Sequence, residues 1–147
     1  MSGAGHSATL DARLVVERYV AAWRRGDLVA CIGFCDPLIR VTQHYHDAAL
    51  PFTGESVGTA AFAMRMAKMY SEWAMLDAEF GSFAVDGPIV HSTLRFVTRH
   101  VDSGETFDGT MRHVWQVADG RIVALDEYID VSRLKAFLRL AGLPAVE

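Results

Sequence analysis

The chain has 147 residues, 51% of them apolar and 22% charged, with a formal net charge of −4 from 14 basic and 18 acidic side chains. That length suits one domain with an unaided core, and the apolar content excludes disorder as the main state. The absence of basic excess argues against a nucleic-acid footprint, and no run approaches the ~18 apolar residues of a membrane-spanning helix. In chain order, residues 10–24 carry Leu10, Leu14, Val15, Tyr19, Ala22 and Trp23 as one stripe at helical spacing. Thr9 or Asp11 is placed to cap this helix and Gly26 to end it. Asp27 caps a shorter helix over residues 28–35, which Pro37 stops. From Leu38 the pattern alternates, with Ile39, Val41, Gln43 and Tyr45 on one face of a strand and Arg40, Thr42, His44 and His46 on the other. Residues 48–58 read as a loop, and Thr59 caps a Met-rich helix over residues 60–76. Four β-prone runs follow, over 76–85, 89–101, 105–117 and 121–129, with turns at Asp102-Ser103-Gly104 and Ala118-Asp119-Gly120. Asp130 caps a last helix that ends at Gly142. Helices first and an antiparallel meander afterwards describe an α+β domain over residues 9–143, with a flexible 1–8 and a tail at 144–147.

Strand parity selects the chemistry. A three-residue 118–120 loop pairs Val117 with Arg121 and gathers Met111, His113, Trp115 and Val117 with Val123, Leu125, Glu127 and Ile129. A two-residue Ser103-Gly104 turn adds Val90, Ser92, Leu94 and Phe96 to this face, which is apolar enough to cover the helices. His113 and Glu127 interrupt it as diagonal neighbours. A titratable pair in an apolar concavity suits acid–base work, although a satisfied core histidine beside a rim carboxylate explains the same residues. The opposite face carries Arg95, Arg99, Arg112, Gln116, Asp126 and Tyr128, as a solvated surface or a polar subunit interface.

Other motifs carry less. His44 and His46 share a strand face, yet no further motif supplies a third ligand, so they read as solvated or rim histidines and no metal site is expected. Cys31 and Cys35 are the two cysteines, four apart on one helix face, and read as small buried apolar side chains. Met64, Met66, Met69 and Met75 read as core filling. No phosphate loop or nucleophile elbow is present in the sequence. The N-terminal nine residues lack a basic segment followed by an apolar run, so a cytoplasmic location is expected.

Residues 17–35 (ERYVAAWRRGDLVACIGFC), 54–62 (GESVGTAAF) and 118–130 (ADGRIVALDEYID) resemble the nuclear transport factor 2-like superfamily. The branches it resembles are the SnoaL-like cyclases, ketosteroid isomerases and limonene-epoxide-hydrolase-like proteins. The resemblance spans about residues 10–141. It implies a cone-shaped, cystatin-like α+β barrel, a curved and mostly antiparallel sheet wrapped around N-terminal helices, with a pocket in its mouth and a homodimer formed through the sheet. It places Tyr19 as an oxyanion-stabilising tyrosine, and it places Glu127 where hydrolases and cyclases carry a last-strand aspartate. Gln43 falls near the isomerases' general base and His113 near their protonated aspartate, so isomerisation by that mechanism is not implied. Tyr45-His46-Asp47 resembles the hydrolases' water-holding Tyr-x-Asn, but residues 89–101 offer no counterpart to their Arg-x-Asp.

Two functions therefore stand open. One is a cofactor-independent isomerase, cyclase, dehydratase or hydrolase of a small apolar or aromatic molecule. In that case Glu127, His113 and Tyr19 are catalytic, and Trp23, Gln43, Tyr45, Asp47, Phe96, Met111, Trp115 and Leu125 contact the substrate. The other is a non-catalytic ligand-binding or dimerisation module of the same fold.

Overall fold

The structure, a computed structural model of the chain, describes residues 3–45, 47, 50 and 53–143, with side-chain environments from Ala12 onward. Helix α1 (Gly3–Arg24) and the short α2 (Leu28–Gly33) lead into strand β1 (Cys35–Gln43) and strand β2 (Gly54–Val57). Helix α3 (Thr59–Glu72) follows, then β3 (Trp73–Asp86), β4 (Ile89–His100), β5 (Thr106–Ala118), β6 (Arg121–Ile129) and α4 (Val131–Leu140). The six strands form one open sheet in the order β2-β1-β6-β5-β4-β3, antiparallel except where β1 runs parallel to β6. Helix α1 touches β3, β4, β5 and β6 on one side, so the sheet curves around it. The α+β class and the wrapped sheet agree with the sequence reading.

Two apolar clusters fill the concavity. One joins Val16, Tyr19 and Val20 of α1 to Val41, Trp115 and Leu125, and the other gathers Trp73, Leu94, Phe96, Phe107, Leu134 and Phe137 beneath α4. The outer side of β5 and β6 is polar as expected, with the Arg112 guanidinium 5.2 Å from the Tyr128 ring centre.

Several boundaries differ from the sequence reading. Helix α1 begins at Gly3 rather than near Leu10. Helix α2 stops at Gly33, and Cys35 already pairs with Ile122, so Cys31 and Cys35 do not share a helix face. Both thiols are buried and free. Pro37 does not stop that helix but sits in β1, where the pairing with β6 is interrupted between Cys35 and Arg40 and no ladder N–H is needed. Residues 54–57 form an edge strand within the expected loop, pairing Gly54 with Gln43 and Val57 with Arg40. Gly58, at φ 95°, is the N-cap of α3, and Thr59 is its first helical residue. That helix yields to β3 at Trp73, which pairs with His100 and packs on Phe137. Long-range pairing thus overrides a helix-prone sequence that holds no Gly or Pro to stop it.

The two hairpins settle the site. Ala118, not Val117, faces Arg121 across a two-residue turn, with Asp119 at φ 52° and Gly120 at φ 73°. An irregularity then follows between Gln116 and Val117, so that Ile122 takes the buried place expected for Val123. Beyond it the ladder is restored and His113 stands directly opposite Glu127 rather than diagonal to it. The β4–β5 register is offset by two residues from a Ser103-Gly104 turn, since Arg99 faces Thr106. An offset of two keeps the parity, so Val90, Ser92, Leu94 and Phe96 do lie on the inner face.

Candidate functional site

Four adjacent strands each place one polar residue in a single row across the concave face. Gln43 of β1 is opposite Glu127 of β6, Glu127 is opposite His113 of β5, and His113 is opposite Ser92 of β4. Their same-face neighbours along the strands are apolar: Val41, Leu125, Ile129, Met111, Trp115, Val90 and Leu94. Ser92 Oγ is occupied by the Trp115 indole N–H at 2.8 Å. His113 Nε2 lies 3.3 Å from Glu127 Oε2. The His113 ring stacks on Phe80 at 5.7 Å and leans on Trp115 at 5.5 Å, which fixes its orientation. Its side chain is 5% exposed and that of Glu127 is 21% exposed, so the carboxylate is the member that reaches open space. Gln43 Oε1 and His113 Nδ1 are buried without a hydrogen-bond partner. Unsatisfied groups of this kind cost about 1–3 kcal/mol each and concentrate where a ligand is handled.

The row borders a cavity of about 150 Å³. Tyr19, Trp23, Gln43, Phe96, Met111, His113, Trp115, Leu125 and Glu127 all line it, so most of the sequence-selected residues converge on one space. Tyr45 and Asp47 are not among its lining residues; Tyr45 Oη instead donates to Asp47 Oδ2 at 3.0 Å. Burial holds the Tyr19 hydroxyl well above its ordinary value, with smaller contributions from Cys31, Cys35, Glu127 and Tyr70, so it stays a donor. Its ring meets Trp115 edge-on at 5.1 Å.

Sequence reasoning passed over three polar lining residues, Arg65, Tyr70 and Thr98, the last with its hydroxyl donating to Ala74 O at 3.1 Å. Arg65 donates from Nη1 to Val41 O (3.2 Å) and Ser56 Oγ (2.9 Å) and from Nη2 to Gly54 O (3.2 Å), tying α3 to β1 and β2. Burial draws its guanidinium down from the ordinary value, and the negative charge of Glu127 opposes that shift. Burial likewise raises the Tyr70 hydroxyl, with a smaller opposing contribution from the neighbouring Trp23. The available signal was the α3 stripe Phe62, Met66, Met69, in which a charged residue at 65 falls on the apolar face.

His44 lies on the outside, 2.8 Å from Asp126 and stacked on Tyr128 at 4.2 Å. The His44–His46 reading falls partly outside the described residues. Among the described residues no three His, Cys, Asp or Glu side chains gather as a metal ligand set, and no helix is long and apolar enough to cross a membrane.

No curated protein matches the sequence. Among solved structures, an NTF2-like protein from Burkholderia thailandensis superposes with a TM-score of 0.77 at 22% identity, covering 90% of this chain and 98% of that one. An LEH-like epoxide hydrolase from M. tuberculosis gives 0.69 at 17% identity, over 91% of this chain and 93% of that one. TerC, co-crystallised with polyporic acid, gives 0.74 at 16% identity, over 88% and 98%. At these identities the likeness is one of fold. The family model of the SnoaL-like domain matches residues 16–125. With three quarters of its length matched, this chain belongs to the SnoaL-like domain family, and it has the fold of the NTF2-like proteins.

Proposed function

We propose that the chain binds a small, largely apolar molecule and transfers a proton on it by side-chain acid–base chemistry, in an isomerisation, cyclisation, dehydration or hydration. The observation that carries this reading is the His113–Glu127 pair, one partner sealed among aromatic rings and the other open to the cavity. Glu127 is the base: His113 Nε2–H holds Oε2, which leaves Oε1 to take a proton from substrate carbon or from water. Tyr19, kept protonated by burial, donates to the oxygen on which negative charge develops. Trp23, Phe96, Met111, Trp115 and Leu125 supply apolar walls, and Gln43 offers an amide for orientation. The co-crystallisation of TerC with polyporic acid supports ligand binding by this fold.

Deuterium uptake from heavy water into small cyclic ketones and enones, followed by NMR beside conversion of small epoxides, tests the assignment. Glu127→Gln is expected to lower the rate by about 10²–10⁴-fold with little change in Tm. Retention of the wild-type rate overturns the catalytic role, and a large loss of folding assigns Glu127 to structure instead. A second reading, a ligand-binding module without turnover, is favoured by Gln43, whose amide cannot accept a proton beside Glu127. It predicts that Glu127→Gln changes affinity alone.

Two further expectations belong to this proposal. A homodimer forms through the outer sheet face, where Arg112, Tyr128, His44 and Asp126 present a partly polar surface. The free thiols of Cys31 and Cys35 suit the reducing cytoplasm.

A further inference from the structure

The cavity beside the polar row has a volume of about 150 Å³. An apolar cavity of about that size holds a molecule such as benzene, whereas pockets for drug-sized ligands measure about 300–1,000 Å³. What limits it is visible on one side. A separate groove of about 560 Å³ lies beyond, lined by residues that include Arg24, Leu28, Leu76 and Asp77. Three residues border both spaces: Trp23, Tyr70 and Met75. They come from the end of α1, the last turn of α3 and the start of β3, so three elements meet in one wall between the two spaces. The Trp23 part of the wall is held by Phe80, whose ring the indole meets edge-on at 5.5 Å. This edge-to-face contact orients the indole.

We propose that Trp23, Tyr70 and Met75 form a partition that sets substrate size, and that the substrate is a single-ring compound bearing a polar oxygen directed to the Gln43–Glu127–His113 row. The substrate class rests on the proton-transfer reading of that row, whereas the size limit rests on the partition alone. Truncation of the partition joins the cavity to the groove and admits a second ring.

The test is equilibrium binding of phenol, 2-naphthol and 2-anthrol by titration calorimetry, with the His113 ring resonances as the reporter of location. Apolar area alone makes affinity rise with each added ring. The wild-type protein is expected to show the reverse, with 2-naphthol at least tenfold weaker than phenol and phenol shifting the His113 resonances. Trp23→Ala is expected to bring 2-naphthol to at least tenfold tighter than phenol. Met75→Ala opens the same wall from β3 and gives the same inversion should Trp23→Ala fail to fold. Affinity that rises with ring count in the wild type, unchanged order in the folded variants, or phenol that leaves His113 unmoved overturns the proposal. Glu127→Gln separates the two readings: the size order persists in it even where loss of turnover, or its retention, decides the role of the carboxylate.

Discussion

Cys31 and Cys35 show what burial does to a single side chain. Desolvation pushes the two thiols from an ordinary 9.0 up to about 11 and about 12. The thiolate is the reactive form, so neither cysteine is expected to react with an aromatic disulfide reagent at about pH 8 in the native protein, while both react in denaturant. Rapid release of thionitrobenzoate without denaturant contradicts this. Gly109 presents a steric case. A Cβ there stands 2.8 Å from ring atoms of both Phe96 and Phe107, two buried residues that pack edge to face. Gly109→Ala is therefore expected to lose about 1–3 kcal/mol in urea unfolding, as overpacked cores do. Sequence showed His113 and Glu127 because each breaks an apolar alternation. It did not show that one is sealed and the other open, because the ring of Phe80 reaches His113 from β3, two strands away in the sheet.

At the scale of elements, α4 closes the end of the concavity, burying Leu134, Phe137 and Leu138 and lining the cavity with Leu134. Asp130 accepts from Arg133 N at 3.2 Å at its start. Asp130→Ala is expected to cost about 1 kcal/mol of stability by chemical denaturation, with Asp130→Asn close to wild type. An alanine variant as stable as wild type shows that the cap is not needed. This helix and β6 were legible because cap, stripe and stop residues all agree locally. Strand β2 was not, since four residues with Gly at one end and no apolar alternation carry no local signal until β1 offers them an edge. The start of β3 was hidden for the same reason, inside helix-forming residues that His100 recruits into the sheet.

For the whole molecule, four buried acidic protons make stability fall with alkali. Tyr19, Tyr70, Cys31 and Cys35 all hold their protons more tightly folded than unfolded. Above the ordinary thiol value of 9.0 the unfolded chain releases protons that the folded chain retains. The stabilisation is complete below that pH and is lost as pH climbs toward about 11 and about 12, at up to about 1.4 kcal/mol per pH unit for each group. Urea midpoints are expected to fall between about pH 9 and about pH 11 while remaining level at about pH 7–8. A midpoint that rises or holds level across the alkaline range contradicts the burial of these groups. The 51% apolar content and the period of each segment determined the fold class, the inner face and its two titratable interruptions, because periodicity is a local property of the chain. Tertiary structure alone decided the rest. The register of the β5–β6 hairpin put His113 directly against Glu127, and the parallel pairing of β1 with β6 brought Gln43 into their row. The meeting of α1, α3 and β3 set the size of the space beside them. Each of these depends on residues far apart in sequence, whose contacts no local pattern encodes.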